Sequence, residues 1–327
     1  MHIVLASHTR IPARLYGGTE RIILWLGRAL SERGHVVGLL GPAGSSWPYG
    51  PLTILDPHRP LEAQIPAQAD VFHSHIGLDP DFDGKACQTV HGNAAGAELH
   101  RNSIFISADH ARRHGGTVFV HNGLDPRVYP EPDLAHGGRS LVFLAKAAWK
   151  VKNVRGAIRV ARRAGRPLEV LGGYRLNLKM GFRLTLDPNA RFHGMVDDAG
   201  KAAILGRAAG LLFPVRWHEP FGIAVIEAMY FGLPVFATPY GSLPELVPQH
   251  VGCLSEKAEV LADAIRDIGR FDRAAIHAHF RDNFTAERMT ERYLDLYERI
   301  EAGESLHPAR FKAPVVSQPK AMLPWTE

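Results

Sequence analysis

The feature that most constrains the fold is a rhythm of short apolar runs and helical patterns along the 327 residues. HIVLA (2–6) predicts a strand, and TERIILWLGRALSERG (19–34) has apolar residues at helical spacing with a glycine at its end. HVVGLLG (35–41) is the next predicted strand. Runs rich in β-branched residues without polar alternation indicate parallel strands that are covered on both faces. The rhythm therefore predicts doubly wound α/β architecture.

A break in composition separates two occurrences of this rhythm. The segment 125–140, DPRVYPEPDLAHGGRS, is rich in proline, glycine and charge, which is typical of a linker. The first half ends on a predicted strand at VFVHNG (118–123), and the rhythm restarts at LVFLAK (141–146). We predict an N-terminal domain over 1–137, a C-terminal domain over 138–284, a returning helix over 285–302 and a flexible tail over 303–327.

Composition narrows the class of protein. The hydrophobic fraction of 46% suits a globular fold, and no apolar run approaches the roughly 20 residues that span a bilayer. The N-terminus lacks the pattern of a signal peptide, and the only cysteines are Cys87 and Cys253, so we expect a reducing, cytoplasmic location. A net charge of +5 favours anionic partners, yet no nucleic-acid-binding motif accompanies it.

The segment EPFGIAVIEAMYFGLPVFAT (219–238) places two glutamates around a predicted helix start. Glu219 precedes the helix that begins near Gly222, and Glu227 lies within it. In open α/β sheets, ligands bind beyond the carboxyl ends of strands, where helix N-termini offer free amides. A carboxylate accepts hydrogen bonds from neighbouring hydroxyls, so a nucleotide sugar is a natural partner. The alternative is that Glu227 only pairs with a nearby arginine.

This segment resembles the E-x7-E signature of the retaining glycosyltransferases of family four, which have the GT-B fold. The resemblance implies two Rossmann-like doubly wound domains that face each other across a cleft, with acceptor on the N-terminal side and donor on the C-terminal side. It implies that Glu227 binds the ribose and that Glu219 contacts the donor sugar. The backbone that would assist Glu219 is that of Phe221, Gly222 and Ile223.

Two glycines in IPARLYGGTE (11–20) follow the first strand and open a helix. Such a turn presents backbone amides to a phosphate. In the resembled family this loop contacts the donor diphosphate and borders the acceptor pocket, which assigns donor binding to Gly17 and Gly18. No P-loop or dinucleotide fingerprint is present, which argues against an NTPase or a dehydrogenase.

The family's diphosphate-binding cations have counterparts in LVFLAKAAWKVKN (141–153). Lys146 stands where an arginine is usual, after Ala145 in place of a glycine. Lys152 best matches the second cation, with Lys150 as a rival, and a solvated pair of lysines is the alternative. His91 in TVHGN resembles a family histidine near the donor sugar, whereas His73 and His75 resemble a structural strand end.

Together these resemblances imply a metal-independent, retaining glycosyltransferase that uses a UDP- or GDP-linked sugar and no other cofactor. The predicted catalytic residues are Glu219, His91, Lys146 and Lys152, and no metal ligands are predicted. The acceptor is an unidentified sugar, small molecule or lipid-linked group, and peripheral contact with the inner face of the membrane stays open. The alternatives are a sugar-nucleotide epimerase on the same fold and a non-catalytic subunit that binds nucleotide sugars.

Overall fold

A computed structural model gives the fold and describes residues 1–13, 17–178, 182–314 and 322–327. The chain divides into two compact units. Unit 1 contains Met1–Asp125 and the described part of Phe284–Gln318. Unit 2 contains Pro126–Asn283 and the described part of Pro319–Glu327.

Helices and strands alternate through most of the described chain. The strands are β1 (His2–Ala6), β2 (Val36–Gly41), β3 (Leu52–Ile54), β4 (Val71–Ser74), β5 (Ala86–Val90), β6 (Glu98–Leu99), β7 (Ser103–Phe105), β8 (Leu141–Leu144), β9 (Leu168–Leu171), β10 (Leu176–Asn177), β11 (Arg183–Leu184), β12 (Ala190–Phe192), β13 (Gly210–Phe213), β14 (Val235–Ala237), β15 (Gly252–Leu254) and β16 (Phe311–Lys312). The α-helices are α1 (Gly18–Glu32), α2 (Ala108–Arg113), α3 (Val154–Arg163), α4 (Asp198–Leu205), α5 (Ile223–Tyr230), α6 (Leu243–Leu246), α7 (Ala258–Arg266), α8 (Arg273–Asn283) and α9 (Ala286–Glu301).

Unit 1 is built on a parallel six-stranded sheet in the order β3-β2-β1-β4-β5-β7. Helix α1 buries an apolar stripe that includes Ile22, Ile23 and Leu26, and it packs against α9. The fully buried Tyr293 and Tyr297 of α9 anchor this helix to the sheet. The strand order reverses between β1 and β4, which is the switch point where doubly wound sheets bind ligands.

Unit 2 repeats this plan with a parallel sheet in the order β12-β9-β8-β13-β14-β15. Its switch point lies between β8 and β13. Phe143, Phe213 and Phe236 fill its core, and each is at most 2% exposed. A small antiparallel hairpin, β10–β11, projects between β9 and β12. The prediction of two doubly wound α/β domains is confirmed.

The division of the chain differs from the limits expected from sequence. The boundary between the two units follows Asp125, whereas the sequence predicted it between residues 137 and 138. Residues after Asp125 pack on unit 2, because Tyr129 donates a hydrogen bond to Glu227 and Tyr230 donates one to the carbonyl of Pro130. The expected linker is therefore part of a packed unit.

The C-terminal residues belong to both units. Helix α9 forms part of unit 1, and β16 pairs with β6 of the same unit. Thr326 then bridges Lys257 of unit 2. The sequence predicted a flexible tail over 303–327, and the structure describes its backbone on both sides of 315–321. Those seven positions lie outside the described residues. Within the described chain, no helix has the length and apolarity that crossing a bilayer requires.

Candidate active site

The candidate site of unit 2 lies at the carboxyl edge of its sheet, on both sides of the switch point. Lys146 follows β8, and Glu219 lies in the loop that follows β13. Because β8 and β13 are adjacent parallel strands, their carboxyl ends meet at the same edge. The topology thus places a cationic and an anionic side chain where open α/β sheets bind ligands.

Glu219 is a buried carboxylate with a charged partner. Its side chain is 9% exposed, and its Oε2 accepts a hydrogen bond from Lys152 Nζ at 2.6 Å. The indole of Trp217 donates to the same oxygen at 2.8 Å. Lys152 also lies over the ring of Trp217, 4.6 Å from its centroid. The ammonium and the indole N–H thus replace the hydrogen bonds with water that the buried carboxylate loses. The ring of Trp217 in turn stabilises the ammonium.

Glu227 has an equivalent but separate set of partners. It lies in the second turn of α5, and its side chain is 6% exposed. Its Oε1 accepts hydrogen bonds from the hydroxyl of Tyr129 at 2.7 Å and from Lys201 Nζ at 2.5 Å. Lys201 belongs to α4 and also contacts Asp198. The alternative considered from the sequence was a structural pair with an arginine, and the structure shows a pair with a lysine instead.

Both carboxylates are held by one oxygen only. The hydrogen bonds to Glu219 end on Oε2, and those to Glu227 end on Oε1. Within the described part of the chain, no protein donor reaches Glu219 Oε1 or Glu227 Oε2. Each glutamate is therefore oriented by its partners and keeps a second oxygen with unused capacity to accept hydrogen bonds.

The start of α5 is formed by residues that allow close backbone approach. Gly222, the N-cap, has φ of 97°, and no side chain caps the helix. The first amides of a helix have no intrahelical partners and carry partial positive charge. Phe221 is buried, and its carbonyl accepts a 2.6 Å hydrogen bond from the Ser242 hydroxyl. This hydrogen bond holds the backbone of the loop between Glu219 and Ile223 in position.

Gly241 supports the same loop by close packing. Its φ is 68°, and a Cβ added there would lie 2.2 Å from the carbonyl oxygen of Glu219. The Ser242 amide donates to that carbonyl at 3.0 Å. The turn after β14 therefore sets the backbone position of Glu219. In GSLPELV (241–247), the side chain of Ser242 adds a second contact to this loop, because its hydroxyl bonds to the carbonyl of Phe221.

The three candidate lysines have different environments. Lys152 is 8% exposed and buried against Glu219, so the alternative of a solvated side chain is wrong for it. Lys146 and Lys150 are exposed. The ammonium of Lys146 lies 5.5 Å from the ring centroid of Trp149, whose ring meets that of Trp217 edge-on at 6.0 Å. The tryptophan pair thus connects Lys146 with the Lys152–Glu219 pair.

The predicted glycine loop lies at the switch point of unit 1. Gly17 is the N-cap of α1, and Gly18 is its first residue. A Cβ at Gly17 would lie 2.6 Å from a carboxylate oxygen of Glu20 and 2.7 Å from the Cβ of Ala13. A larger residue at this position would therefore require Ala13 and the Glu20 side chain to move. Residues 14–16 of the predicted loop lie outside the described residues.

Three histidines form a chain at the carboxyl edge of the same sheet, in which His73 and His75 are buried and His91 is partly buried. His91 follows β5, and its Nε2 lies 2.8 Å from Nδ1 of His75. His73 contacts the hydroxyls of Thr89 and Tyr297, each at 2.7 Å. Burial lowers the pKa of His73 to about 3 and that of His91 to about 4. Both rings are therefore neutral at physiological pH and act as hydrogen-bonding groups rather than cations.

The sequence did not indicate three residues that hold the glutamates. Lys201 is 26 positions from Glu227, and Tyr129 is 98 positions from it. Both come from elements that show no local motif. Trp217 is only two positions from Glu219. An indole N–H needs a hydrogen-bond partner when it is partly buried, so this tryptophan was the one signal in the sequence of a donor beside Glu219.

Comparisons with known proteins agree with this architecture. Residues 138–270 match the family described as glycosyl transferases, group 1. A 59-residue segment is 39% identical to an uncharacterized 41.2 kDa protein of the cps region of Klebsiella pneumoniae and spans 18% of this chain but only 16% of that protein.

Two solved structures show the same fold over almost their whole length. AviGT4, a glycosyltransferase involved in avilamycin A biosynthesis, is 21% identical, with a TM-score of 0.73 over 93% of this chain and 99% of its own. HepE from Anabaena, solved with UDP and glucose, is 15% identical, with a TM-score of 0.63 over 91% of this chain and 99% of its own. The narrower assignment to family four stays a prediction. The chain therefore has the GT-B fold, and its residues 138–270 match the family of group 1 glycosyl transferases.

Proposed function

We propose that this protein transfers a sugar from a nucleotide-diphosphate sugar to an acceptor hydroxyl, with retention of the anomeric configuration and without a metal ion. The observation that carries the proposal is the pair of buried glutamates in unit 2. Each is fixed through one oxygen and leaves the other for a ligand. HepE, which shares the fold, was solved with UDP-glucose, so UDP is the first nucleotide to test.

In the proposed complex, the two carboxylates bind opposite ends of the donor. Glu227 accepts hydrogen bonds from the ribose hydroxyls through Oε2, and Glu219 accepts them from the sugar through Oε1. The diphosphate lies between them, at the amides that begin α5 after Gly222. The lysines at 146 and 152 supply positive charge to the diphosphate, as point charges without the fork geometry of arginine.

The reaction follows from this arrangement. The bond between the anomeric carbon and the phosphate oxygen breaks, and the acceptor oxygen bonds to the same face of the sugar. The acceptor's proton passes to the departing phosphate oxygen. Positive charge at that oxygen lowers the barrier because it stabilises the charge that develops as the bond breaks. His91 belongs to unit 1, and we propose that it contacts the sugar as a neutral hydrogen-bonding group.

Calorimetry and turnover measurements on matched variants test this assignment. Glu227→Gln is expected to raise the Kd for UDP about tenfold, since a charged acceptor of ribose hydroxyls is lost. Glu219→Gln is expected to leave UDP binding within about threefold and to lower sugar transfer roughly 100-fold. Glu259→Gln, an exposed glutamate of α7, is the control and should change neither. Unchanged UDP binding and transfer in both site variants would refute the proposal.

Product analysis separates the alternatives. A sugar-nucleotide epimerase converts the donor to an isomeric sugar when no acceptor is present, and a non-catalytic subunit binds nucleotide without converting it. No contact described above favours either alternative. Retention is checked by NMR of the product's anomeric proton, and metal independence by activity that persists in excess EDTA.

A further inference from the structure

Two histidines of unit 1 that the proposed reaction does not use are buried beside residues 91–94, which we call the histidine turn. His110 lies in α2 and His114 is the C-cap of that helix, and they are 2% and 3% exposed. Their spacing of four residues places both rings on one side of the helix, with 4.4 Å between the ring centroids. Because β5 and β7 are adjacent parallel strands, the turn after β5 and the helix after β7 meet at the same edge of the sheet.

The two rings hold the histidine turn by its backbone. The carbonyl oxygen of Gly92 lies 3.0 Å from Nε2 of His110. The amide of Ala94 donates a hydrogen bond to Nε2 of His114 at 2.9 Å. The first contact is made at the residue directly after His91 and the second two residues later, so the backbone that follows His91 is held at two points.

The partners determine which nitrogen of each ring carries the proton. A carbonyl oxygen only accepts, so Nε2 of His110 donates to Gly92. Nδ1 of His114 likewise donates to the carbonyl of His110 at 2.7 Å, which leaves Nε2 of His114 to accept from Ala94. Burial lowers the pKa of both histidines, that of His110 to about 3. Both rings are therefore neutral at physiological pH, in fixed and opposite tautomers.

Stability alone does not account for a histidine at position 110. Its Nδ1 is buried and has no hydrogen-bond partner within the described residues. A buried unpaired nitrogen is unfavourable, and a leucine of similar size would avoid it. Gly92 is exposed, so water could satisfy its carbonyl in the absence of His110. The contact between His110 and the turn therefore indicates a role in function.

The outer side of the histidine turn is open to a ligand. A Cβ added at Gly92 would meet no atom within 4 Å, and the φ of this glycine lies outside the left-handed region. Neither packing nor backbone conformation within the described protein requires a glycine there. Close approach of a ligand to the backbone would require one.

We propose that His110 and His114 are positioning residues that hold His91 in place for sugar transfer. Their hydrogen bonds fix the histidine turn, and the turn sets the direction of the His91 ring, whose Nε2 lies 2.8 Å from Nδ1 of His75. This inference rests on the proposed contact between His91 and the sugar, and it gives neither positioning residue a contact with substrate. Displacement of a reacting group or its partner by about 1 Å is enough to slow a reaction strongly.

Paired substitutions in the full-length chain separate the hydrogen bonds from the bulk of the rings. His110→Leu and His114→Leu keep apolar volume but lose the contacts with the turn, and each should lower kcat for sugar transfer about tenfold. Glutamine reaches about as far as Nε2 of histidine and offers both a donor and an acceptor, so His110→Gln and His114→Gln should keep kcat within about twofold. All four variants should keep the Kd for UDP within about twofold, since the nucleotide is proposed to bind unit 2.

Another buried histidine of unit 1 has the same pattern of contacts and is the matched control. Nε2 of His100 donates to the carbonyl of Phe82, and its Nδ1 accepts from the amide of Asn102. His100 is fully buried and does not contact the histidine turn. His100→Leu should therefore lower the Tm without lowering kcat.

Amide exchange followed by NMR gives a measurement that does not depend on activity. The Ala94 amide should exchange roughly five- to tenfold faster in His114→Leu than in the wild type, because one hydrogen bond is lost. His114→Gln should restore the slow exchange, since its side-chain oxygen accepts from the same amide.

Three results would overturn the inference. One is wild-type kcat in the leucine variants, or wild-type exchange of the Ala94 amide in His114→Leu. Another is an equal loss of kcat in the glutamine and leucine variants, because the hydrogen bonds would then not be what positions the turn. The third is an equal loss in His100→Leu, because general destabilisation would then explain every variant.

The same measurements separate this inference from the proposed function. Wild-type protein that transfers no sugar refutes both together. Transfer that falls in His91→Ala but persists in the leucine variants at 110 and 114 refutes the positioning role alone.

Discussion

Lys152 Nζ and the indole nitrogen of Trp217 share one oxygen of Glu219, at 2.6 and 2.8 Å. The shared contact leaves the carboxylate fixed in direction and open on one side. The Lys152 ammonium both pairs with the Glu219 carboxylate and contacts the Trp217 ring, so its removal should affect stability as well as chemistry.

Lys152→Met should lower the free energy of unfolding by about 3 kcal/mol, because a buried carboxylate loses its counter-charge. Urea denaturation measures the change. Lys150→Met is the matched control, since Lys150 lies in the same turn but is exposed, and it should stay within about 0.5 kcal/mol of the wild type. Adding Glu219→Gln to Lys152→Met should recover much of the loss. Equal stability of Lys152→Met and Lys150→Met would contradict a buried ion pair between Lys152 and Glu219.

Tyr129→Phe should destabilise the protein by about 1 kcal/mol, because Glu227 Oε1 then keeps only its contact with Lys201. If Glu227 binds ribose as proposed, the looser carboxylate should also raise the Kd for UDP by roughly threefold. Tyr240→Phe removes a hydroxyl that bonds to Glu256 and to the carbonyl of Pro324 near the surface, and it serves as the control. UDP affinity equal to that of the wild type in Tyr129→Phe would show that Lys201 alone orients the carboxylate.

Gly241→Ala tests the packing that sets the backbone of Glu219. Alanine at this left-handed position costs about 1 kcal/mol in strain alone, and the added Cβ would also collide with the Glu219 carbonyl. Gly165→Ala isolates the strain, since Gly165 has φ of 67° and open space around it. Thermal unfolding should therefore show a clearly larger loss for Gly241→Ala, and transfer activity should fall with it. Equal losses would mean that the loop moves freely.

The lowered pKa of His91 in unit 1 should make stability fall in mild acid. The pKa of His91 drops from an unfolded value of 6.5 to about 4 because of burial, so the unfolded chain binds more protons between these values. The contribution of neutral His91 to the free energy of unfolding is fully present above about pH 6.5. It is lost as the pH falls toward about 4, at up to about 1.4 kcal/mol per pH unit. His91→Asn should therefore flatten the pH dependence.

Denaturation curves between about pH 7 and about pH 5 measure this slope. His58→Asn, at an exposed loop position, is the control and should keep the wild-type slope. Identical slopes for His91→Asn and the wild type would show that His91 takes up its proton equally well in the folded and unfolded chain.

The sequence predicted the two sheets because their strands are buried on both faces and so appear as nearly unbroken apolar runs. HIVLA (2–6) and LVFLAK (141–146) each contain a central strand of their sheet. VFVHNG (118–123) was predicted as a strand by the same rule, yet it forms only an isolated bridge between Phe119 and Phe105. Local apolar character cannot distinguish a sheet strand from a segment that merely borders the sheet.

The hairpin over 174–186 was missed for the opposite reason. From Phe182 to Leu186 its residues alternate as a strand requires, but the buried side chains, Arg183 and Thr185, are polar and the exposed ones are apolar. A rule that assigns apolar residues to the core has no means of recognising such an element. The pairing of Glu227 with Lys201 and Tyr129 was equally invisible, because it depends on contacts between residues that are far apart in sequence.

The return of α9 to unit 1 has a consequence for how the protein is made. Tyr297 lies 224 residues after His73, its hydrogen-bond partner. A ribosome synthesises Pro126–Asn283 before it reaches this helix, so unit 2 has most of its chain while the sheet of unit 1 still lacks the tyrosines that cover it. During translation, the histidine end of that sheet therefore stays uncovered until α9 has been synthesised.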